Sequence, residues 1–399
     1  MRVLMLSTDQ NIFKAGSEVQ ARMIEYGQLV QELHIITYTK HNPNDYPSAA
    51  KKISNNVWAY STNTSWKPLY FRDAYRIGKK IINQLPITHA YRQAGNYQLL
   101  ITAQDPFETG LAGYLLKRKF GLPLQIQIHT DFLSPYFWQE SFKNKIRVLL
   151  GKWLVKKADC LRVVSQRIKN SILRSSQDLR SCDDPNIHVL PIFVDMEKIK
   201  NAPIKTDLHK KYPGYDFIIL MASRLTREKN IGMAIEAMAE LFNVRTSEVQ
   251  SIERSILLLI VGDGPEREAL RLKAKSYNLK SNIVFESWTD DLISYYKTAD
   301  LFMLTSNYEG YGRTLVEAGA SGCPALTTDV GVAPEIIKFG ESGIIIKPRD
   351  TKALAESILE IMRSRQNYRG RIGEGVIKNK NEYLSQYKKT FSFCSSRKN

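Results

Sequence analysis

Two glutamates, Glu309 and Glu317, flank Gly310-Tyr311-Gly312-Arg313-Thr314-Leu315-Val316. That spacing sets one carboxylate on a glycine-broken turn and the other inside an apolar helix. Carboxylates so placed accept hydrogen bonds from hydroxyl groups, and Gly310 and Gly312 let the backbone approach a ligand closely. The amides of Arg313, Thr314 and Leu315 open the helix, whose positive end suits a phosphate. A diphosphate with hydroxyls on either side is the ligand this stretch fits. Upstream, Ala222-Ser223-Arg224-Leu225-Thr226-Arg227-Glu228-Lys229-Asn230 offers Arg224 and Lys229. Two cations converging on a diphosphate stabilise the leaving charge as a bond to it breaks. Taken singly, the same cations read as solvated charges at a helix start, and Gly262 and Gly264 read as an ordinary turn. Glu317 is different. It sits among Leu315, Val316, Ala318 and Ala320, where a carboxylate without a partner is costly to bury.

The elements that must hold these groups read as strands feeding helices. Residues 301–304 form a short apolar run, a buried parallel strand with Glu309 in the loop at its carboxyl end and Glu317 in the helix that follows. Residues 217–221 run into the Arg224 loop and then a helical pattern through Ile231, Ala234, Ile235 and Met238. Residues 256–261 lead to Gly262-Asp263-Gly264-Pro265, a tight turn and a helix started by proline. Residues 282–288 make a strand and loop ending at Trp288. In the first half, residues 2–6 are a strand ending in polar residues 7–9, and Ala15-Gly16-Ser17-Glu18 opens a helix reaching about Glu32. Further strand-like runs lie at 34–38, 57–60, 99–102, 124–128 and 160–164, alternating with helical segments as a parallel α/β sheet requires.

These motifs, in this order over residues 217–345, resemble the large retaining glycosyltransferase family four. The Glu309-to-Glu317 segment is similar to its E-x7-E motif. The Arg224 block is similar to G-R-L-x-x-x-K-N, with Ser223 for the usual glycine, and Gly262 to Pro265 is similar to the G-x-G-P turn beside the base. The resemblance implies a GT-B fold: two Rossmann-like α/β domains facing a central cleft, with a C-terminal helix crossing back to the first. It implies that Arg224 and Lys229 clamp the donor diphosphate, that Glu317 binds ribose, and that Glu309 with the amides after it holds the sugar and its phosphate. Gly16, Gly262, Gly264, Trp288, Gly310, Tyr311, Gly312, Arg313, Thr314 and Leu315 complete the expected donor site. The first loop of the family carries two adjacent glycines where this chain has only Gly16. His129 corresponds to a histidine that faces the cleft near the reacting carbon. On its own, a histidine at a strand end reads as a hydrogen-bonded structural residue. Asp105 and Asp131 are expected as loop caps or acceptor contacts. Arg313, a bulky cation beside the expected sugar site, is expected to pair with Glu309, the alternative being that it favours an acidic sugar such as a uronic acid.

The resemblance implies retaining transfer from a nucleoside-diphosphate sugar to an acceptor hydroxyl by front-face substitution, the picture preferred for the family; the carboxylate nucleophile that a double displacement requires is not evident. No metal and no cofactor are expected: Asp183-Asp184 and Asp290-Asp291 read as caps, and the four cysteines lack ligand spacing. Cys160, Cys182, Cys323 and Cys394 are expected as free thiols of a reducing compartment. The expected domains are 1–195 for the acceptor, 196–372 for the nucleotide sugar and 373–399 as crossover helix and tail, with Tyr383, Tyr387 and Phe391 along one helix face. Residues 246–255 read as a surface loop.

A net charge of +17 calls for an anionic partner or surface. Lysines and arginines interleave with aromatic and aliphatic residues at 66–82 and again at 142–157. The second segment reads equally as an amphipathic helix with a solvated basic face or as a membrane contact. The first is favoured for the membrane because Trp66, Tyr70 and Phe71 adjoin its cations. No run approaches the roughly 20 apolar residues of a spanning helix, and the start of the chain has no charged-then-apolar signal pattern. The expectation is a peripheral enzyme on the cytoplasmic face of the membrane, acting on a glycan or lipid-linked acceptor in cell-surface polysaccharide or glycolipid synthesis. The rivals are a nucleotide-sugar epimerase or hydrolase of the same fold, and, from basicity alone, a nucleic-acid-binding protein. The latter lacks any stacking-platform pattern.

Overall fold

The computed structural model describes residues 1–41, 50–85, 99–174, 186–243, 255–368 and 379–395. Cys182, Asp183, Asp184, residues 246–254 and the expected boundary at 372 lie outside them. The chain divides into two compact units. The first comprises residues 1–133, 141–190 and 380–399, and the second 134–140 and 191–379.

The first unit is built on eight strands: β1 (Arg2–Ser7), β2 (Glu32–Thr37), β3 (Lys51–Ser54), β4 (Val57–Ser61), β5 (Leu99–Ala103), β6 (Leu124–Ile128), β7 (Cys160–Val163) and β8 (Ile187–Val189). Their order is β3-β4-β2-β1-β5-β6-β7-β8, with β3 alone antiparallel. The central strands are buried along most of their length because helices cover both faces of a parallel sheet, and the polar Thr102, Gln125 and Gln127 buried in β5 and β6 bond to one another. Val3, Leu4, Met5 and Leu6 of β1 are fully buried. The helix after β1 ends at Gly27, short of Glu32, which instead starts β2. The side chain of Asn56 donates to the carbonyls of Gly27 and Val30, closing the helix end, and a Cβ on Gly27 would strike Val57.

Helix Lys380–Ser395 belongs to this first unit and buries Tyr383, Tyr387, Phe391 and Cys394. Three- and four-residue steps put these on one helix face. Tyr387 stacks on Tyr26 with centroids 4.2 Å apart, and the Tyr26 and Tyr383 hydroxyls lie 3.0 Å apart. Cys394 is joined to Cys160 by a disulfide, with Cα atoms 5.6 Å apart. The expectation of free thiols is therefore wrong for this pair. The helix returns the end of the chain to the start of β7 and brings the two buried sulfurs within bonding reach. Cys323 is a buried free thiol.

The second unit has six parallel strands: β9 (Phe217–Ala222), β10 (Ile256–Val261), β11 (Ile283–Glu286), β12 (Leu301–Leu304), β13 (Ala325–Thr328) and β14 (Gly343–Ile346). Their order is β11-β10-β9-β12-β13-β14. Chain order reverses between β9 and β12, which makes the carboxyl ends of these two strands the natural ligand crevice of the sheet. Ile219, Met221, Leu258, Ile260 and Met303 belong to the unit's hydrophobic core together with Ala234, Ile235 and Met238 of helix Ile231–Asn243.

Candidate functional site

The loops after β9 and β12 meet at the reversal point and are tied together through their backbones. Asn307 N donates to Glu228 O at 2.8 Å, and the Thr305 hydroxyl lies 3.0 Å from the carbonyls of Lys229 and Asn230. Asn230 takes a left-handed conformation, φ 47°, ending the short 3-10 turn Arg227–Lys229. This geometry turns Lys229 inward. Its Nζ lies 2.5 Å from Glu309 Oε1, an atom that also accepts from the Ser306 hydroxyl at 2.8 Å. Both side chains of the pair are largely enclosed, at 15% and 13% exposure. Arg224, by contrast, points to solvent at 77% exposure and, among the described residues, pairs with Glu228, 3.3 Å away.

Gly312, φ 91°, precedes helix Arg313–Ala320, so the first amides of that helix follow directly on the Glu309 turn. Gly310 and Tyr311 are buried, and Thr314 and Leu315 continue the first turn. The pairing expected between Arg313 and Glu309 is absent. Arg313 Nε donates to Glu317 Oε1 at 2.7 Å, the four-residue step along one helix face, while Glu309 is held by Lys229. Glu317 Oε2 also lies 3.5 Å from the buried Tyr296 hydroxyl. Glu317 therefore has protein partners, and any ribose hydroxyl reaching it adds to them.

Gly262 and Gly264 are explained first by packing. A Cβ on Gly262 would lie 1.9 Å from Ser223 O, and one on Gly264 would lie 2.4 Å from Leu225 O. The loops after β9 and β10 cross here in backbone contact, with Leu225 N donating to Asp263 O. Trp288 is half-exposed, and its amide donates to Asp263 Oδ2 at 3.1 Å.

Three features escaped the sequence reading. Gly331, φ 52°, lets the turn after β13 press on the Glu309 loop, since a Cβ there would meet Tyr311 O at 2.4 Å. The one signal for it in the sequence is the glycine in Asp329-Val330-Gly331-Val332, directly after β13. Ser306 orients Glu309. Segment 134–140, expected in the first domain, belongs to the second unit: Phe137 packs edge-on against Tyr308, the Tyr308 hydroxyl bonds Glu140, and the Arg349 guanidinium lies 4.6 Å from the Tyr136 ring centre. A pocket of about 240 Å³ opens there, lined by Glu140, Arg227, Glu228, Tyr308 and Arg349 among others. Burial, and then Glu140, push the Tyr308 phenol up, so it stays protonated and donates.

His129 and Gly16 lie in the first unit. Gly16, φ 73°, precedes Ser17, whose hydroxyl caps helix Glu18–Gly27. His129 Nε2 is 3.3 Å from Gln127 Oε1, which also accepts from Arg162 Nη1 at 2.7 Å. An amide oxygen only accepts, so Nε2 carries the proton and Nδ1 is left as an acceptor. Burial first, then Arg162 and Arg22, hold His129 down to about 3, a neutral ring at physiological pH. Asp105 caps the next helix by accepting from Phe107 N and Thr109 N, and Asp131 accepts from Ser171. Among the described residues no group of three or more acidic, histidine or cysteine side chains is placed to hold a metal ion.

Residues 205–379 match the family model "Glycosyl transferases group 1". The chain is 25% identical over 263 residues to N-acetyl-alpha-D-glucosaminyl L-malate synthase of Bacillus anthracis, covering 65% of this chain and 64% of that protein. It is 27% identical over 265 residues to the UDP-Gal:alpha-D-GlcNAc-diphosphoundecaprenol alpha-1,3-galactosyltransferase of Escherichia coli, covering 64% of each. The matched region thus spans just under two thirds of both relatives. Sucrose-phosphate synthase of Thermosynechococcus elongatus matches 99% of this chain and 96% of its own, with a TM-score of 0.68 at 19% identity. The chain shares that fold, the GT-B arrangement of two α/β units with parallel sheets.

Proposed function

We propose, from the premise that residues 205–379 form a domain of the glycosyl transferases group 1 family, that this chain transfers a sugar from a nucleoside-diphosphate sugar to a hydroxyl of a lipid-linked glycan or glycolipid acceptor. The observation that carries the reading is the enclosed Lys229–Glu309 pair at the reversal of strand order, beside the start of helix Arg313–Ala320. A diphosphate drawn to those amides meets Lys229 at close range, and Glu309 is then available to sugar hydroxyls. Arg224, exposed and paired with Glu228 in the loop after β9, supplies the second cation. Glu317, oriented by Arg313 and Tyr296, takes the ribose.

In this reading the bond from the anomeric carbon to the donor phosphate breaks while the acceptor oxygen bonds to the same face of that carbon. The acceptor proton passes to the departing phosphate, so the configuration is retained. Lys229, Arg224 and the helix amides stabilise the phosphate charge by preorganised electrostatics, and no metal takes part. The basic composition supports an anionic, membrane-held acceptor, and one similar protein is named for a diphosphoundecaprenol-linked acceptor.

Thermal unfolding with UDP, GDP, ADP and dTDP, in wild type and Glu317→Ala, tests the donor site. One nucleoside diphosphate is expected to raise the transition in the wild type and not in the variant, since ligand bound only by the folded state stabilises it. No shift with any of the four rules the donor assignment out. Anomeric proton couplings of the product with a simple alkyl-linked acceptor then distinguish retention from inversion, and product analysis with donor alone separates a transferase from an epimerase or hydrolase.

A further inference from the structure

Helix Phe142–Lys157 carries two apolar faces, and the fold uses only one. Val148, Gly151, Leu154 and Val155 are buried against the first unit, and Gly151 is small because a Cβ there would lie 2.8 Å from the Phe132 ring. On the other side Phe142, Ile146, Leu149 and Trp153 are exposed by 77, 53, 61 and 41%. At about 100° per residue these four fall within an arc of about 60°, a continuous stripe along the helix. Lys145, Lys152 and Lys156 follow one edge of the stripe, and Lys143 and Lys157 the other. All five are exposed, and the helix contains no carboxylate.

The 66–82 segment, which the sequence reading favoured, is different. Its helix Tyr70–Gln84 buries Ala74, Gly78, Ile81 and Ile82, the Tyr70 ring lies against Tyr38, and of the segment's large apolar side chains only Trp66 is exposed.

We propose that helix Phe142–Lys157 docks the protein on an anionic lipid surface. Phe142, Ile146, Leu149 and Trp153 enter the boundary between headgroups and acyl chains, and the flanking lysines contact lipid phosphates. An apolar stripe between two cationic rows is the arrangement that suits an interfacial helix lying in the plane of a membrane. A second copy of this chain fits the face poorly, because two-fold pairing of the stripe sets lysine rows against lysine rows. Helix Glu108–Phe120, packed beside it, adds the exposed Arg118 and Lys119 at its end, while Lys117 is paired with Asp159. The inference deepens the membrane-held acceptor of the proposed function, but vesicle binding is read without donor or acceptor, so either can fail while the other stands.

The test is co-flotation with vesicles of phosphatidylcholine alone or with about one third phosphatidylglycerol. Wild type is expected to float with the acidic vesicles and not with the neutral ones. Phe142→Ser/Ile146→Ser/Leu149→Ser should lower that partition on the order of a hundredfold, and each of Lys152→Glu and Lys156→Glu by about fivefold or more. Trp66→Ser should change it by less than about twofold. Circular dichroism melts confirm that the variants are folded. Wild type that stays out of acidic vesicles, or triple-variant partition equal to wild type, overturns the proposal. So does light scattering that shows a wild-type dimer made monomeric by the triple change with no vesicle binding, because the face is then covered by a second copy.

Discussion

Lys229 and Glu309 are each largely enclosed, so neither charge is well solvated without the other. In the proposed function a diphosphate replaces Glu309 as the anion nearest Lys229, and Lys229 and Arg313 then have separable effects on binding. Lys229→Met should weaken binding of the preferred nucleoside diphosphate by roughly 10- to 100-fold, the worth of one charge-assisted hydrogen bond; isothermal titration reads it directly. Arg313→Met leaves Lys229 untouched and releases Glu317 instead, so it should affect nucleoside diphosphate much more than inorganic diphosphate. The Arg313–Glu317 pair was readable from the four-residue helical step. The Lys229–Glu309 pair was not, because nothing in the sequence fixes which way Lys229 leaves its turn. His129 carries a pH prediction. Its folded ring stays neutral to about pH 3, whereas the unfolded ring titrates near the ordinary 6.5. Between those values the unfolded chain holds more protons, so this group lowers stability as pH falls. Asp105 and Asp131, pushed up to about 6 by burial, act oppositely, their contribution being lost as pH rises from 3.8 through 6. His129→Gln should therefore lose less thermal stability than wild type on acidification below pH 6.5.

At the scale of elements, two glycines in left-handed or open conformations make a matched comparison. Gly262, φ 144°, faces a Ser223 carbonyl that a Cβ would overlap, whereas Gly16, φ 73°, has nothing within 4 Å of that position. Gly16→Ala should cost about 1 kcal/mol, from backbone conformation alone. Gly262→Ala should cost several times as much, because two loops must separate; urea unfolding curves separate the two outcomes. The strands flanking the site were legible as apolar runs: β9, β10 and β12 stand nearly as read. β13 and β14 passed unread because four residues each give too short a pattern, and β3 because Lys51-Lys52-Ile53-Ser54 carries almost no apolar signal on a sheet edge. The Cys160–Cys394 bond was beyond reach for another reason. Its partners are 234 residues apart and are joined only by the path of the last helix. It should be detectable by alkylation of the denatured chain, where Cys323 reacts at once and Cys160 and Cys394 react only after reductant. Reaction of all three without reductant contradicts the bond.

For the whole molecule, the order of residues along the chain is not the order of its units. The chain enters the second unit at 134, leaves it after 140, and returns at 191. The sequence gives no sign of this excursion, because Pro135-Tyr136-Phe137-Trp138 reads as one more apolar stretch of the first half. Its contribution can be put on a scale. Phe137 is 5% exposed and packs on Tyr308, which burial of a phenylalanine values at about 1.5–3 kcal/mol, and the Arg349–Tyr136 contact adds about 0.5–1 kcal/mol. A fragment of residues 191–379 lacks these contacts. It should unfold at lower urea than the same fragment carrying residues 134–140 on a flexible linker, by the equivalent of about 2–4 kcal/mol. Because Tyr308 adjoins Glu309, the shorter fragment should also bind the nucleoside diphosphate of the proposed donor more weakly, and Phe137→Ala in the linked fragment should reproduce most of both losses. Equal midpoints for the two fragments contradict the assignment of the segment to this unit; a stability difference without an affinity difference separates the packing of Phe137 from the setting of the Glu309 loop.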